Sequence, residues 1–323
     1  MIPARPKALS AICEHLINTM FEQLPTVPTS QELLDKAFRR ASRAEDNESM
    51  VQNAGNILSD NLTNLIHKFP SFDNLPPFYR EMADLIAGID RMRISLSRLR
   101  WASRQTRLIT NEFLGKMKRA RGQDTTTSRK AAFGRFSSVI KSIEKDLVFL
   151  NEARNMLRHM PTINPEFPTI LIAGYPNVGK SSFIRQVTGA RPEIASYPFT
   201  TRGIYVGHFY RRDQKYQVID TPGLLDRPLA ERNEIERQTV AALRHLQGVV
   251  LFILDPSEHC GYPLQSQLGL AQDLKDWIKL PMLMVANKAD ILRYPEVMEM
   301  STETGQGVKE VQEKLISMLE AAI

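Results

Sequence analysis

The chain has 323 residues, 42% of them hydrophobic and 24% charged, which is typical of a globular protein large enough for two cores. Its two cysteines, Cys13 and Cys260, lack the spacing of a metal site and suggest no disulfide framework. No apolar run reaches the roughly 20 residues that cross a bilayer, and the first residues do not resemble a signal peptide. We therefore expect a cytoplasmic protein.

The positive charge is confined to one half of the chain. Residues 1–162 carry 25 basic and 17 acidic residues, whereas the rest carries 17 basic and 19 acidic ones. Between Arg91 and Arg135 there are 13 basic residues and only two acidic ones, Glu112 and Asp124. Such a density favours a polyanionic partner, and the alternative is a solvated surface with no partner.

Residues 1–162 read as an all-helical domain. Apolar residues recur at helical spacing, as at 33–38 and 139–150, and prolines punctuate the region. We expect five to seven helices, with Ser30 as a cap and a last long helix from near Lys130 to Met160. The prolines in Pro161–Pro165 then mark the boundary to a second domain, 163–323.

The second domain alternates short apolar runs with polar helical stretches. The pattern predicts an α/β fold, a mostly parallel sheet with helices on both faces. Residues 205–209 and 215–220 lie close together and predict an antiparallel hairpin. The apolar runs are residues 169–173, 248–254 and 280–286.

A phosphate-binding loop follows the first of these strands. The segment GYPNVGKSS, residues 174–182, fits the pattern G-x-x-x-x-G-K-[ST] between a predicted strand and a predicted helix. Lys180 would reach the β and γ phosphates, and the Ser181 hydroxyl would bind Mg²⁺. The residues predicted to bind nucleotide here are Asn177, Val178, Gly179, Lys180, Ser181 and Ser182.

Two further segments predict a response to the γ-phosphate. Asp220 ends a strand and can hold Mg²⁺ through water, and the N–H of Gly223 can then donate to a γ-phosphate. Between the phosphate loop and Asp220, a threonine can complete the Mg²⁺ shell. Thr201 is the preferred candidate and Thr200 is the alternative.

The segment NKAD, residues 287–290, predicts guanine as the base. The Asp290 carboxylate would accept from N1–H and N2–H₂ of guanine, a donor pair that adenine lacks. Asn287 would tie this loop to the phosphate loop, and the stem of Lys288 would cover the base. The backbone of Ser301, Thr302 and Glu303 would face the guanine oxygen.

These motifs resemble those of the Obg-like GTPases, as judged by GYPNVGKSSF, YPFTT, DTPGLL and NKAD. The segments KAAFGR (130–135) and LNEAR (150–154) resemble the helical domain of the nucleolar GTP-binding protein (Nog) family in a short, archaeal-type form. The resemblance implies a P-loop GTPase that acts in assembly of the large ribosomal subunit, with GTP or GDP, ribosomal RNA and the pre-ribosomal particle as partners.

The resemblance also bears on catalysis. Many small GTPases carry a water-orienting glutamine where this chain has Leu224, so we expect slow intrinsic hydrolysis. Asn177 either coordinates K⁺, as in related GTPases, or caps the loop, and Arg202 is either a source of charge in cis or a surface residue. The predicted catalytic residues are Lys180, Thr201, Gly223 and Asn177.

A basic stripe in the helical half predicts an RNA surface that reads shape and phosphate. The alternative is a surface whose arginines pair with acids, and we expect Trp101 on the same helix to be a core residue. The stripe and the hydrophilic stretch after it, which leads into an expected loop, supply Arg93, Arg100, Arg104, Arg107, Lys116, Lys118, Arg119 and Arg121.

The sequence thus predicts an enzyme that switches with its nucleotide, a monomer when off the ribosome. Two other functions stay open. One is a GTP-gated interaction module without significant turnover. The other is a membrane-associated GTPase, for which the chain lacks an amphipathic helix with exposed aromatics or a lipidation signal.

Overall fold

The structure is a computed structural model that describes most of the chain in two compact units. The first unit comprises residues 21–75 and 86–158, and the second comprises residues 76–85 and the described part of 159–322. The division predicted at residue 162 stays a prediction of the sequence. No helix in the described part is long and apolar enough to cross a membrane. The described residues are 21–120, 124–160, 163–189, 193–195, 203–220, 222–223, 225–227, 232 and 234–322.

The first unit is built from helices alone within its described residues. Thr29, rather than Ser30, caps the first helix: it forms a capping box with Glu32, which satisfies backbone donors that the helix leaves free. Long apolar side chains fill the centre of the unit, among them Leu58, Leu99 and Phe136. The helices are α1 Ser30–Ala41, α2 Asn47–Lys68, α4 Ile89–Arg119, α5 Thr126–Ser142 and α6 Glu144–Leu157.

The long helix predicted from Lys130 to Met160 is two helices. Ile143 leaves helical geometry at φ −103° and ψ 10°, so α5 ends at Ser142 and α6 begins at Glu144. The apolar side chains of Ile140, just before the break, and of Ile143, at the break, are fully buried. Continuous apolar periodicity therefore did not reveal the change of direction.

The second unit is organised around a seven-stranded sheet. Its strand order is β2-β3-β4-β1-β5-β6-β7, with β2, β3 and β4 antiparallel and the other pairs parallel. The predicted hairpin is therefore confirmed as β3 and β4. The strands are β1 Thr169–Ala173, β2 Glu193–Ala195, β3 Ile204–Arg211, β4 Gln214–Asp220, β5 Gly248–Leu254, β6 Met282–Ala286 and β7 Met298–Glu299.

The apolar runs become the buried centre of this sheet. Every residue of β1 and β5 is buried, as expected for strands covered on both sides. Helices pack against β3, β4 and β5 and leave the carboxyl ends of the parallel strands to the loops. The helices of this unit are α3 Pro77–Ala87, α7 Lys180–Thr188, α8 Glu234–Ala242, α9 Leu264–Ile278 and α10 Val308–Ala322.

Helix α3 precedes α4 in sequence, but its residues 76–85 pack within the second unit. The Tyr79 hydroxyl donates to the carbonyl of Ile163 at 2.6 Å. The Glu81 carboxylate lies 2.7 Å from Nε2 of His245 and 3.4 Å from the Arg244 guanidinium. The second unit therefore contains a helix that comes from the amino-terminal half of the chain.

Candidate functional site

The phosphate loop lies between β1 and α7, with two glycines that the geometry requires. Gly174 has φ 134° and Gly179 has φ 105°, both in the region that favours glycine. A Cβ at Gly174 would meet the carbonyl of Ile253, and one at Gly179 would meet the amide of Asn287. The glycines of the sequence pattern are therefore required because other chain segments pack closely around this turn.

Lys180 begins helix α7 and is almost fully buried. Its ammonium donates to the carbonyls of Gly174 and Tyr175, each at 2.8 Å. Burial lowers the pKa of Lys180, while the negative charges of Asp220 and Asp226 act in the opposite direction. The ammonium therefore lies inside the loop, where an arriving phosphate would meet it.

Two oxygen donors meet beside the loop. The Ser181 hydroxyl donates to Oδ2 of Asp220 at 3.3 Å, at the amino end of α7 and the carboxyl end of β4. A hydroxyl and a carboxylate are the ligands that Mg²⁺ prefers, so these residues fit a magnesium ion. The threonines expected to complete the shell, Thr200 and Thr201, lie outside the described residues.

Asn287 joins the base loop to the phosphate loop, as its position in NKAD suggests. Its side-chain amide donates to the carbonyl of Val178 at 2.7 Å and to Oγ1 of Thr302 at 3.0 Å. Its side-chain carbonyl accepts the N–H of Thr302 at 2.9 Å. Because Asn287 is buried, these bonds are shielded from water and fix three loops against one another.

A buried carboxylate that the sequence reasoning missed holds Lys288. Asp255 follows β5 and accepts from the Lys288 ammonium at 2.6 Å and from the N–H of Cys260 at 2.8 Å. Burial alone would raise the pKa of Asp255, but hydrogen bonds from Lys288, Ser257 and Cys260 outweigh it and lower that pKa. The sequence signal that could have identified Asp255 is its position directly after an apolar strand, where ligand-binding loops of such sheets begin.

Some of the groups expected to read the base already have hydrogen-bond partners within the chain, and others have none in its described part. The Asp290 side chain is exposed and makes no hydrogen bond or ion pair with any described residue. The N–H of Ser301 donates to the carbonyl of Gln306, and that of Thr302 donates to Asn287. The N–H groups of Ser301 and Thr302 are therefore engaged within the chain, and the predicted roles of Ser301, Thr302 and Glu303 towards a guanine oxygen stay predictions.

The remaining loop residues are only partly described. The Asn177 side chain is exposed and has no hydrogen-bond partner among the described residues, so no loop-capping bond is seen there. Gly223 donates its N–H to Oδ2 of Asp226 at 2.8 Å, a contact absent from the sequence reasoning. The side chain of Ser182 lies on α7, 3.4 Å from Arg185. Arg202 and Leu224 lie outside the described residues.

The basic stripe lies on the exposed side of α4, but its members differ. Arg93 pairs with Asp73 and Asp90, and Arg107 approaches Asp60 at 3.5 Å. Arg100 and Arg104 are exposed and have no ion pair with any described residue. Helix α4 continues through Arg119, so Lys116, Lys118 and Arg119 are helical, and Lys116 pairs with Glu112 at 2.7 Å. Arg121 lies outside the described residues.

The expectation that Trp101 is a core residue is wrong. Its side chain is 47% exposed, because α4 buries Leu99, Ala102 and Ser103 and points position 101 the other way. Ile94 and Leu108, one heptad away on either side, are 61% and 55% exposed. An aromatic ring therefore lies on the surface among the arginines.

A phosphate loop and a base loop tied together by a buried asparagine, on a mostly parallel sheet, define a P-loop GTP-binding protein. The profile of the NOG1 N-terminal helical domain matches residues 21–164, and that of nucleolar GTP-binding protein 1 matches residues 234–290. The chain belongs to the nucleolar GTP-binding protein family.

Individual relatives agree with this family. An uncharacterized protein of Methanocaldococcus jannaschii is 39% identical over 289 residues, 84% of this chain and 81% of its own length. Nucleolar GTP-binding protein 1 of Encephalitozoon cuniculi is 37% identical over 75% of this chain, and that of Saccharomyces cerevisiae is 31% identical over 90%. The chain spans about half the length of these two nucleolar relatives, 46% and 48%.

Proposed function

We propose that this chain binds GTP and hydrolyses it slowly to GDP and phosphate, and that its nucleotide state controls binding to the large ribosomal subunit during assembly. The helical unit would contact ribosomal RNA, in the cytoplasm and as a monomer when off the particle. The family names support guanine-nucleotide binding. The ribosomal role rests on the resemblance of the helical half.

The observation that carries the nucleotide part is the bridge made by Asn287. It holds the carbonyl of Val178 in the phosphate loop and both polar groups of Thr302, beside an exposed Asp290 carboxylate. One buried side chain thus sets the distance between the groups that would hold phosphates and the group that would read the base. A protein that bound phosphate alone would not need this bridge.

Hydrolysis would depend on positioning and charge. The Lys180 ammonium and the backbone N–H groups of the loop would hold the β and γ phosphates, and Gly223 would donate to the γ-phosphate. Ser181, Thr201 and Asp220 would hold Mg²⁺, which neutralises developing charge on the phosphate oxygens. Asn177, which is exposed within the loop, would hold K⁺ if that ion assists hydrolysis.

The RNA part is supported by the exposed face of α4. Arg100 and Arg104 stand beside Trp101, so this surface offers phosphate ligands and an aromatic ring together. Guanidinium groups neutralise phosphates, and an exposed indole can stack on an unpaired base. The arginines already paired with acids, Arg93 and Arg107, fit the alternative of a solvated surface more closely.

The base assignment is tested with Asp290→Asn. The amide presents a donor where the carboxylate accepts, so GTP affinity should fall by on the order of tenfold or more while affinity for xanthosine triphosphate rises. Asp276→Asn is the matched control, because that acid is exposed on α9 and pairs with Gln272. A variant with full GTP affinity and no gain for the xanthine nucleotide would refute the assignment.

The competing function is a GTP-gated interaction module without turnover. It shares the binding site and differs only in chemistry, so single-turnover measurements of phosphate release, with and without large ribosomal subunits, separate the two. Release above the rate in buffer supports an enzyme. Release at the buffer rate under both conditions supports the module.

A further inference from the structure

The N–H of Gly223 already has an anionic acceptor within the protein. It donates to Oδ2 of Asp226 at 2.8 Å, across a turn in which Gly223 has φ 85°. This N–H is the group expected to donate to a γ-phosphate. A single N–H makes one strong hydrogen bond, so carboxylate and γ-phosphate cannot both accept it well.

The same carboxylate acts on the positive charges around the site. Its charge opposes the effect of burial on the pKa of Lys180, and it does the same for Arg232. Asp226 therefore lies in the field of the lysine that would hold the terminal phosphates. A γ-phosphate that accepted the Gly223 N–H would also be repelled by the negative charge of Asp226.

We propose that Asp226 sets the preference between GTP and GDP, because its carboxylate and the γ-phosphate compete for the Gly223 N–H and the displaced carboxylate moves to Arg232. This inference rests on the proposed guanine-nucleotide function. GDP lacks the γ-phosphate and leaves the Gly223 contact in place, so only GTP has to displace it. The protein thereby holds its own GTP affinity down.

Arg232 has the features required of the receiving group. It is only 3% exposed, and its Nη2 donates to the carbonyl of Arg227, whereas Nε and Nη1 have no hydrogen-bond partner among the described residues. Burial lowers its pKa to about 10, so it stays charged at neutral pH. Its Nε–H and Nη1–H groups point to different sides of the guanidinium, so either of them could donate one charge-assisted hydrogen bond to a carboxylate oxygen. Capturing Asp226 would satisfy one of the buried donors that have no partner among the described residues.

The decisive variant is Asp226→Asn, which keeps the shape of the side chain and removes its charge. Affinities are measured in Mg²⁺ buffer for GDP and for a GTP analogue with an imido bridge between the β and γ phosphorus atoms. The ratio of the two dissociation constants should shift about tenfold towards the triphosphate, since a hydrogen bond to a charged acceptor is lost in the competitor. Affinity for GDP should stay near that of the wild type.

Glu236→Gln is the matched control. Glu236 is an acid of the same region that accepts from Arg227 at 2.9 Å through both oxygens and has no contact with Gly223. The variant changes the net charge by the same amount as Asp226→Asn. The charge of Glu236 also acts on Arg232, but Gly223 keeps its carboxylate acceptor in this variant, so the ratio should shift much less than in Asp226→Asn. An equal shift in both variants would overturn the proposal in favour of a general charge effect.

A second variant tests the receiving group. Arg232→Met keeps an unbranched stem and removes the donors, so the displaced carboxylate has no partner and the ratio should shift towards GDP. Retained GDP affinity identifies folded protein, and Arg232→Lys, which keeps the charge on a single ammonium group in place of the guanidinium, gives an intermediate shift. An unchanged or reversed ratio in Asp226→Asn would refute this inference and leave the proposed guanine-nucleotide function intact. Wild-type protein that binds neither nucleotide would instead refute the proposed function.

Discussion

The nucleotide site and the basic face of α4 differ in how their polar groups are satisfied. In the nucleotide site, buried groups such as Asn287 and Asp255 each bind several partners within the chain. On the basic face, side chains are about half exposed and form few ion pairs. Geometry in the first region is therefore fixed before a ligand arrives, whereas the second supplies charge at loosely fixed positions. A single substitution should therefore have a large effect on binding in the nucleotide site, whereas several substitutions together should be needed for a comparable effect on the basic face.

The largest effect should follow loss of the loop bridge. Asn287→Ala removes bonds to Val178 and Thr302 and leaves buried groups unpaired, so GTP affinity should fall on the order of a hundredfold. The control is Gln186→Ala, which removes one exposed bond to the same Thr302 and should cost only a few-fold. Titration calorimetry measures both. Equal losses of GTP affinity in the two variants would contradict the claim that the Asn287 bridge positions the two loops for binding.

The next effect sharpens the contrast within the basic face. Arg100→Gln combined with Arg104→Gln removes two charges that have no ion pair with a described residue, and Arg93→Gln combined with Arg107→Gln removes two that are paired with acids. The first pair should weaken rRNA binding roughly tenfold and reduce the slope of log affinity against log salt by about 1.4, and the second pair should do less.

Circular dichroism must first establish that both double variants keep their helices, because arginine stems also pack. Nucleotide affinity should be unchanged in each, since the site lies in the other unit. Equal losses from both pairs would mean that the ion pairs do not weaken phosphate binding. Wild-type affinity in both would move the RNA surface to Lys116–Arg119.

Substitution of Trp101 separates the contribution of base stacking to RNA binding from that of charge. Trp101→Ala should weaken RNA binding roughly fivefold without changing the salt slope, and Trp101→Phe should retain most of the affinity because a ring remains. In a Trp277→Phe background the only indole is that of Trp101. Its fluorescence should be quenched by RNA and not by heparin, which has charge but no bases.

The comparison for Trp101 is Leu108→Ala, a neighbouring exposed apolar residue of the same face. It should leave RNA affinity unchanged if stacking is the interaction. A loss equal to that of Trp101→Ala, with no quenching by RNA, would indicate that the face binds an apolar protein surface instead.

The smallest expected effect concerns the cation. If Asn177 holds K⁺, hydrolysis should rise several-fold when KCl replaces NaCl at equal ionic strength, and Asn177→Ala should abolish the difference. Because its side chain is exposed with no partner among the described residues, the substitution should cost little stability. Identical rates in both salts would remove Asn177 from catalysis.

The sheet unit was predictable because its elements carry local signals. Buried strands appear as unbroken apolar runs, so β1 and β5 were predicted with the bounds that the structure has. The phosphate loop and NKAD are contiguous motifs whose order along the chain implies their meeting at one edge of a sheet. The places of Lys180 in the phosphate loop and of Asn287 beside it could therefore be predicted from sequence, while their roles towards a nucleotide stay predictions.

What could not be predicted depends on contacts between distant segments. Asp255 gains its role from Lys288, 33 positions further on, and Asp226 from a turn whose closure no motif specifies. Trp101 was assigned to the core from its residue type, although the phase of α4 decides its direction. The break at Ile143 left no trace in an apolar period that continues through it.

Helix α3 has a practical consequence for dissecting this protein. The described chain passes from one unit to the other at residues 75–76, 85–86 and 158–159, so no single cut releases either unit intact. A fragment that starts at residue 163 would lack Tyr79 and Glu81 and expose the surface that α3 covers. Poor solubility of such a fragment would report a missing helix and would say nothing about the affinity of the site for nucleotide. A fragment made to study the isolated site should therefore carry residues 76–87 on a linker.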